Sequence, residues 1–446
     1  MTDASFGVPL PVRIIAIGDE LLEGRTADTN SGRIQRALGA HAVQAAGIQV
    51  VPDQPEAIVA ALDWTHPGDL VFLTGGLGST PDDLTREAVA GWGGASLEVD
   101  AELERSMAER WRRRGGTPVA ALVRRQSRVP AGMVPLANPL GSAPALAGRL
   151  RERTLVLLPG VPAETEALLP VVLPWLGAQG VLPRPRRNLL WRTAQMAETV
   201  LVNRCADIRE AHPELQWSWW LTDWGVDMRV AAPSPSEDVV REMDTVEQDV
   251  TRRLGPLVFS RDARTPPEVI QNLLKQGSAT LAVAESCTAG LLGGSLTQQA
   301  GSSAFFRGGI LAYADDVKRD LLDVPGDLLQ DHGAVSEPVV RAMAAGCRKR
   351  LGTDYGLAVT GIAGPGGGSR EKPVGTTWIG LATPRGVFAG CYRFPADRIR
   401  NRLLTVASAL DSLRRALELG NDVSPWERAE TWGRNNVLGP QPPSKG

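Results

Sequence analysis

The apolar positions of the chain alternate between two kinds of run. VRIIAIG (12–18), DLVFLTGG (69–76) and RTLVLLPG (153–160) are short, nearly continuous apolar stretches that end in glycine. Each precedes a segment of helical character: one around Asn30–Leu38, one around Asp82–Ala90 and one from Pro162. Strands alternating with helices predict a parallel, doubly wound α/β sheet. In such sheets the strand-to-helix loops collect at one edge, where ligands bind. The pattern breaks at PRPRRN (183–188), which reads as a linker. NLLWRTAQM, LQWSWWL and GVDMRVAAP follow, with a helical stretch near Glu198–Ala211, and predict a small α+β module. From Pro266 the alternation resumes. TLAVAE (280–285) leads to a helix, GGILAY (308–313) precedes DDVKRDLL, and YGLAVTG (355–361) and VGTTWIGLAT (374–383) read as further strands. A final helix places Ile399, Leu403, Val406, Leu410 and Leu413 on one face.

These shifts divide the chain into blocks at 11–180, 181–260 and 264–420. The first ten residues and 421–446, which ends NNVLGPQPPSKG, are expected to be disordered. A length of 446 residues agrees with about three domains. Hydrophobic content of 43% and charged content of 22% are those of a soluble globular protein. A net charge of −2 gives no electrostatic case for direct nucleic-acid or anionic-membrane binding. Without a signal pattern or a membrane-length apolar run, the expected location is the cytoplasm. Cys205, Cys287, Cys347 and Cys391 form no CxxC pair, which argues against a zinc knuckle and a disulfide framework. His41, His66, His212 and His332 show no metal-ligand spacing, so catalysis is expected from carboxylates, hydroxyls and amines. Trp217, Trp219, Trp220 and Trp224 lack a surrounding basic cluster and are expected to pack rather than stack on nucleobases.

The stretch AESCTAGLL raises the sharpest chemical question. Ser286 lies where a strand meets a helix, and a serine there can be a helix cap worth about 1 kcal/mol. It can also be a nucleophile, with Cys287 as its rival. A second corner favours chemistry. With Asp315 as N-cap, Lys318 falls near N3, where the helix field and burial both favour a neutral amine able to act as general base. Tyr313 ends the preceding strand and could hydrogen-bond either partner. The loop VTGIAGPGGG (359–368), with Thr360, Gly361, Gly364 and Gly366, offers backbone N–H groups for a phosphate or an oxyanion. Arg398, Arg400 and Arg402 crowd the start of the last helix and supply a candidate phosphate grip. The residues alone therefore predict a hydrolase or transferase site for a small phosphorylated molecule.

Near the N-terminus, TGGLGSTPDDLTREAV (74–89) opens as a glycine turn at Gly75 and Gly76. Thr80 as N-cap, Pro81 at N1 and Asp83 at N3 would start a helix well. Alternatively Asp82 and Asp83 could coordinate a divalent cation carrying a diphosphate. Asp19, Glu20, Asp28 and Asn30 add polar groups near the end of another strand.

ESCTAGLL, GSSAFFRGGILAYADDVK, GAVSE and VTGIAGPGGG, in this order, resemble the C-terminal domain of the CinA family. The resemblance implies a C-terminal α/β amidase domain with nicotinamide mononucleotide (NMN) deamidase activity and no cofactor. On matching positions it makes Ser286 the nucleophile and Lys318 its lysine, with Tyr313, Thr360 and Arg400 assisting or binding substrate. Ala289 stands where the family usually has glycine; inside a helical turn at negative φ it is expected to do little harm. The N-terminal block is similar to the same family through GDELLEGRTADTN, GGLGSTPDDLT, NPLGSAPAL and LLPGVPAE. That implies a MogA/MoaB-like, molybdopterin-binding type of fold and a metal-dependent ADP-ribose pyrophosphatase site using Mg or Co. The site would comprise Glu20, Asp28, Asn30, Gly75, Gly76, Asp82, Asp83 and Asn138, with Asp82 and Asp83 on the metal. Asp19, Ser79 and Ala145 depart from the pattern, and Ala145 would weaken the site if its backbone must approach a phosphate or take positive φ. The middle block corresponds to the family's KH-type module, and the resemblance also implies a homodimer. The rival expectation is an interaction protein of competence or DNA repair, acting through a recombinase partner. Molybdopterin handling follows from fold analogy alone.

Overall fold

The computed structural model describes residues 11–419, apart from 42, 114, 116, 118 and 235. Both segments expected to be disordered, 1–10 and 421–446, lie outside the described residues. The chain divides into two compact units on either side of the Arg187–Asn188 bond.

The first unit is built on β1 (Val12–Ile17), β2 (Ala45–Val51), β3 (Leu70–Thr74), β4 (Met133–Leu136), β5 (Ala145–Leu150) and β6 (Arg153–Leu158), in the order β2-β1-β3-β6-β5-β4. Successive side chains of one strand enter opposite faces. Ile15, Val71, Leu73 and Leu157 join one buried cluster, while Ile14, Phe72 and Val156 join another. Helices α1 (Asn30–Gly39) and α3 (Pro162–Ala178) cover the second face; α2 (Thr85–Gly93) covers the first. The sheet is parallel over β2, β1, β3 and β6, as the alternation predicts. It is antiparallel at its margin, β5 and β4, a detail the alternation does not reveal. The cause is local: Arg151 (φ 43) and Glu152 (φ 62) form a two-residue turn of left-handed residues that folds β5 straight back onto β6.

The second unit holds two sheets. β7 (Asn188–Ala194), β8 (Gln216–Leu221), β9 (Gly225–Ala231) and β10 (Val258–Ser260) pair antiparallel in the order β8-β9-β7-β10. Helices α4 (Ala206–Ala211) and α5 (Glu237–Leu254) accompany this sheet, and their core includes Trp191, Met228, Met243 and Val246. Three of the four tryptophans pack, as expected: Trp217 and Trp219 stack on each other against that core, and Trp224 lies against the cluster of the following sheet, whereas Trp220 is exposed.

That following sheet runs β12-β11-β13-β14-β15, with β11 (Leu281–Glu285), β12 (Phe306–Leu311), β13 (Tyr355–Gly361), β14 (Thr376–Thr383) and β15 (Gly386–Arg393). β11 pairs parallel with β12 and β13, whereas β14 and β15 are antiparallel. One face carries the large residues Leu281, Val283, Leu357 and Ile379 under α6 (Pro266–Gln276), α7 (Leu291–Thr297) and α10 (Arg398–Leu419). The other carries Ala282, Ala284 and Ala358 and receives α8 (Asp315–Leu322) and α9 (Glu337–Leu351). Small residues on that face let α9 approach closely: a Cβ at Gly380 would meet the Val340 carbonyl. The two sheets are tied together. Arg414, 0% exposed, donates to the Pro256 carbonyl at 2.6 Å and pairs with Asp411, while Gln195 donates to the Ser408 carbonyl at 3.3 Å.

Candidate functional site

At the carboxyl ends of β11, β12 and β13 the main chain fixes Ser286. Its N–H donates to the Val359 carbonyl at 3.1 Å, and the Ala312 N–H donates to the Glu285 carbonyl at 2.8 Å. Residues 286–290 form a turn, and α7 begins only at Leu291. Ser286 is therefore not the cap of this helix, in contrast to one of the two readings of its sequence. Its hydroxyl has no hydrogen-bond partner among the described residues.

Capping falls to Glu285, which the sequence reading missed. Its buried carboxylate accepts from Thr288 Oγ1 (2.6 Å) and from the N–H groups of Gly290 (2.9 Å), Leu292 (3.1 Å) and Gly293 (2.8 Å). A carboxylate below the first turn satisfies helix N–H groups that lack an intrahelical acceptor. The available signal is an acid ending an otherwise apolar strand. Arg402 closes the turn from the other side, donating to the carbonyls of Cys287 (3.1 Å) and Thr288 (2.7 Å). Ala289 corrects an expectation: it sits at φ 48, in the left-handed region, not in a helical turn at negative φ. Ala289→Gly is expected to raise stability by about 1 kcal/mol, read from the urea midpoint, because glycine relieves the αL penalty.

Lys318 lies on α8, one position further into the helix than expected, because Ala314 rather than Asp315 is the N-cap. Its side chain is 1% exposed, and its Nζ donates to the Tyr313 carbonyl (2.9 Å) and to Asp315 Oδ1 (3.1 Å). An ammonium has three donors, and the third has no partner among the described residues. Tyr313 is 61% exposed, and its hydroxyl accepts from Arg398 Nη2 at 3.4 Å. Arg398 also donates to the Gly364 carbonyl at 2.8 Å, joining the glycine loop to Tyr313. Arg398 and Arg402 are one helical turn apart and share a face. Arg400 lies off that face and pairs with Asp223 at 3.5 Å. Thr360 is buried, its hydroxyl donating to the Ala334 carbonyl at 2.9 Å. Gly361 approaches Thr377 and Cys287 closely, whereas Gly366 faces open space. Burial pushes the Cys287 thiol up to about 12, so it holds little thiolate near neutral pH.

In the first unit, the corresponding edge gathers Gly75, Gly76, Asn30 and Gly160. Gly75 has φ 116, and a Cβ there would collide with the Ile17 carbonyl, so the position requires glycine. Asn30 donates to Thr74 Oγ1 (2.9 Å) and the Gly160 carbonyl (2.8 Å), and its own buried carbonyl oxygen is unpartnered. Asp28 accepts from the Ser31 N–H, at the start of α1. Thr80 is not a helix cap, because α2 begins at Thr85. Asp83 accepts from the N–H groups of Gly78 and Thr80, both at 2.7 Å, and from the Thr80 hydroxyl, so it organises the turn. Buried Arg86 donates to the Leu77 carbonyl, and burial pulls its guanidinium down to about 10.

Asp82 stays exposed. The structure adds Asp53, absent from the sequence reading, whose carboxyl is raised by burial and by the charges of Asp19, Glu20 and Asp82. Asn138 is saturated: it accepts from Leu140 and Gly141 and donates to Ala143 and Glu164. Ala145 begins β5 in the core and is not among the residues at positive φ, so that condition for weakening the site does not apply.

The chain is thus an α/β protein, and comparison with known proteins gives its family. A family profile described as "CinA C-terminal domain" matches residues 264–417, and one described as "Probable molybdopterin binding domain" matches residues 13–178. The CinA-like protein of Gemmatimonas aurantiaca is 38% identical over 429 residues, covering 94% of this chain and 99% of its own. That of Parasynechococcus marenigrum is 40% identical over 413 residues, covering 91% and 98%. Among solved structures, a competence-damaged protein (CinA) superfamily protein from Klebsiella pneumoniae is 31% identical with a TM-score of 0.34, over 35% of this chain and 100% of its own. The chain belongs to the CinA family, with a MogA/MoaB-like N-terminal domain and a CinA C-terminal domain. Among the described residues, no helix is long and apolar enough to cross a membrane.

Proposed function

We propose that the C-terminal site hydrolyses the carboxamide of NMN to nicotinic acid mononucleotide and ammonia. The observation that supports this reading is the presence, at one edge of two neighbouring parallel strands, of an unpartnered Ser286 hydroxyl and of a buried lysine with an unused donor position. Ser286 Oγ forms a bond to the carboxamide carbon and gives up its proton, which Lys318 relays to the departing nitrogen. The C–N bond breaks and ammonia leaves. Water then attacks the acyl ester, releasing the carboxylate and restoring the serine. Backbone N–H groups of the turn and of the 361–368 loop are the candidate oxyanion and phosphate donors.

The test is ammonia release from NMN, with product identified chromatographically and EDTA in a parallel set. Metal-independent conversion supports the reading; no ammonia at millimolar NMN removes it. The arginines separate in the same assay. Losing one charge-assisted hydrogen bond costs about 1.5–3 kcal/mol, so Arg398→Ala should raise KM roughly 10- to 100-fold with a smaller change in kcat. Arg400→Ala, which loses an exposed pair with Asp223, should change KM by less than about threefold. The reverse order would assign the phosphate grip to Arg400. A metal-dependent pyrophosphatase in the first unit has weaker support, since Asp83 is committed to its own turn.

A further inference from the structure

The second unit brings together three side chains that the histidine spacings in the sequence gave no reason to associate. His212 follows the last residue of α4, Glu214 lies in the turn that leads into β8, and Glu242 lies on α5. His212 Nδ1 stands 2.6 Å from Glu242 Oε1, and one ligand atom from each of the three residues falls within 4.8 Å of the others. Among the described residues this is the one place where three such groups converge.

We propose that His212, Glu214 and Glu242 form a binding site for a divalent transition cation, Zn²⁺ by preference, that pins α5 to the turn between α4 and β8. The donor set is one imidazole nitrogen and two carboxylates. Zinc accepts both ligand types, and the imidazole discriminates against Mg²⁺ and Ca²⁺, which favour all-oxygen sites.

The backbone positions are held by the core. Ile208, Leu215, Met243 and Val246 are buried on either side of the ligands, and the Leu215 N–H and the Trp217 indole N–H both donate to the His212 carbonyl. The side chains retain freedom to adjust. Tetrahedral ligands at about 2.0–2.1 Å from zinc lie roughly 3.3 Å apart. The present 2.6 Å hydrogen bond must therefore open by less than about 1 Å, a rotation available to Glu242, whose side chain is 26% exposed. His212 also lines a surface cavity of about 510 Å³ with Asp207, Asp249, Arg252 and Arg253. This site is independent of the amidase reading and uses none of its residues.

The experiment uses the full chain, stripped with EDTA and desalted. Co²⁺ is titrated by visible absorption and Zn²⁺ by calorimetry, on wild type, His212→Gln, Glu242→Gln and Glu214→Gln. The expected result is one equivalent bound by wild type, at least about tenfold weaker binding in each variant, and a thermal transition raised by Zn²⁺ only in wild type. Glu214 is exposed, so its variant tests the site even where a change at His212 harms folding. Absence of Co²⁺ and Zn²⁺ uptake by wild type overturns the proposal. So does uptake that all three variants match, because the cation then lies elsewhere.

Discussion

Ser286→Ala is expected to lower ammonia release from NMN by on the order of 10⁴-fold, the scale seen when a serine nucleophile is removed. Stability should change by less than about 0.5 kcal/mol, because the hydroxyl has no partner to lose. Cys287→Ala supplies the contrast. Its thiol is buried and pushed up to about 12, so its loss leaves a small cavity costing about 1 kcal/mol. Activity at temperatures well below the melting transition should stay within about threefold of wild type, less than 1 kcal/mol in the barrier. Steady-state assays of both variants beside their melting curves separate the two residues. A fully active alanine variant at 286 would end the nucleophile assignment, and an inactive one at 287 would transfer the role to the thiol.

Glu285→Ala is expected to be the most damaging single change to the site's architecture. Its carboxylate faces only donors: one hydroxyl and three backbone N–H groups. Removing it leaves the start of α7 and the Thr288 hydroxyl without an acceptor in a buried place. Hydrogen bonds to a charged group are worth about 1.5–3 kcal/mol each, offset by relief of burying the charge, so a net loss of about 3–5 kcal/mol follows. For a unit of this size each kcal/mol moves Tm by about 2–4 °C, giving a fall of roughly 10 °C. Glu285→Gln keeps one acceptor oxygen but turns an amide donor toward other donors, and should fall about halfway. Calorimetry of both variants measures this. A melting point within about 2 °C of wild type for the alanine variant would show that water replaces the carboxylate without loss.

Strands were the most legible part of the sequence, because both faces of each central strand are buried and leave long apolar runs. TLAVAE and DLVFLTGG coincide with β11 and β3 to within a residue or two. Helix starts were less legible where loops carry their own hydrogen bonds. Ser286, Thr288 and Thr80 are residue types that cap helices, yet α7 and α2 begin at Leu291 and Thr85, after turns organised by Glu285 and Asp83. The antiparallel margin of the first sheet depends on a turn at Arg151 and Glu152, residues with no marked preference for positive φ. Long-range partners were not legible at all. Asp53 beside Asp19, Arg400 beside Asp223, and His212 beside Glu242 are brought together only by the packed fold.

The tie between the two sheets of the second unit bears on how the molecule comes apart. Arg414 belongs to the last helix, but its guanidinium is satisfied partly by carbonyls at 256 and 258, outside the 264–417 segment that the CinA C-terminal profile matches. A chain cut at 264 would leave a buried cation short of acceptors and would uncover the contacts that Trp224 makes with the C-terminal core. The border that homology draws is therefore not a seam in cooperativity. Residues 188–419 should melt in a single calorimetric transition, and a protease should find no early cut between the Trp-rich sheet and the five-stranded one.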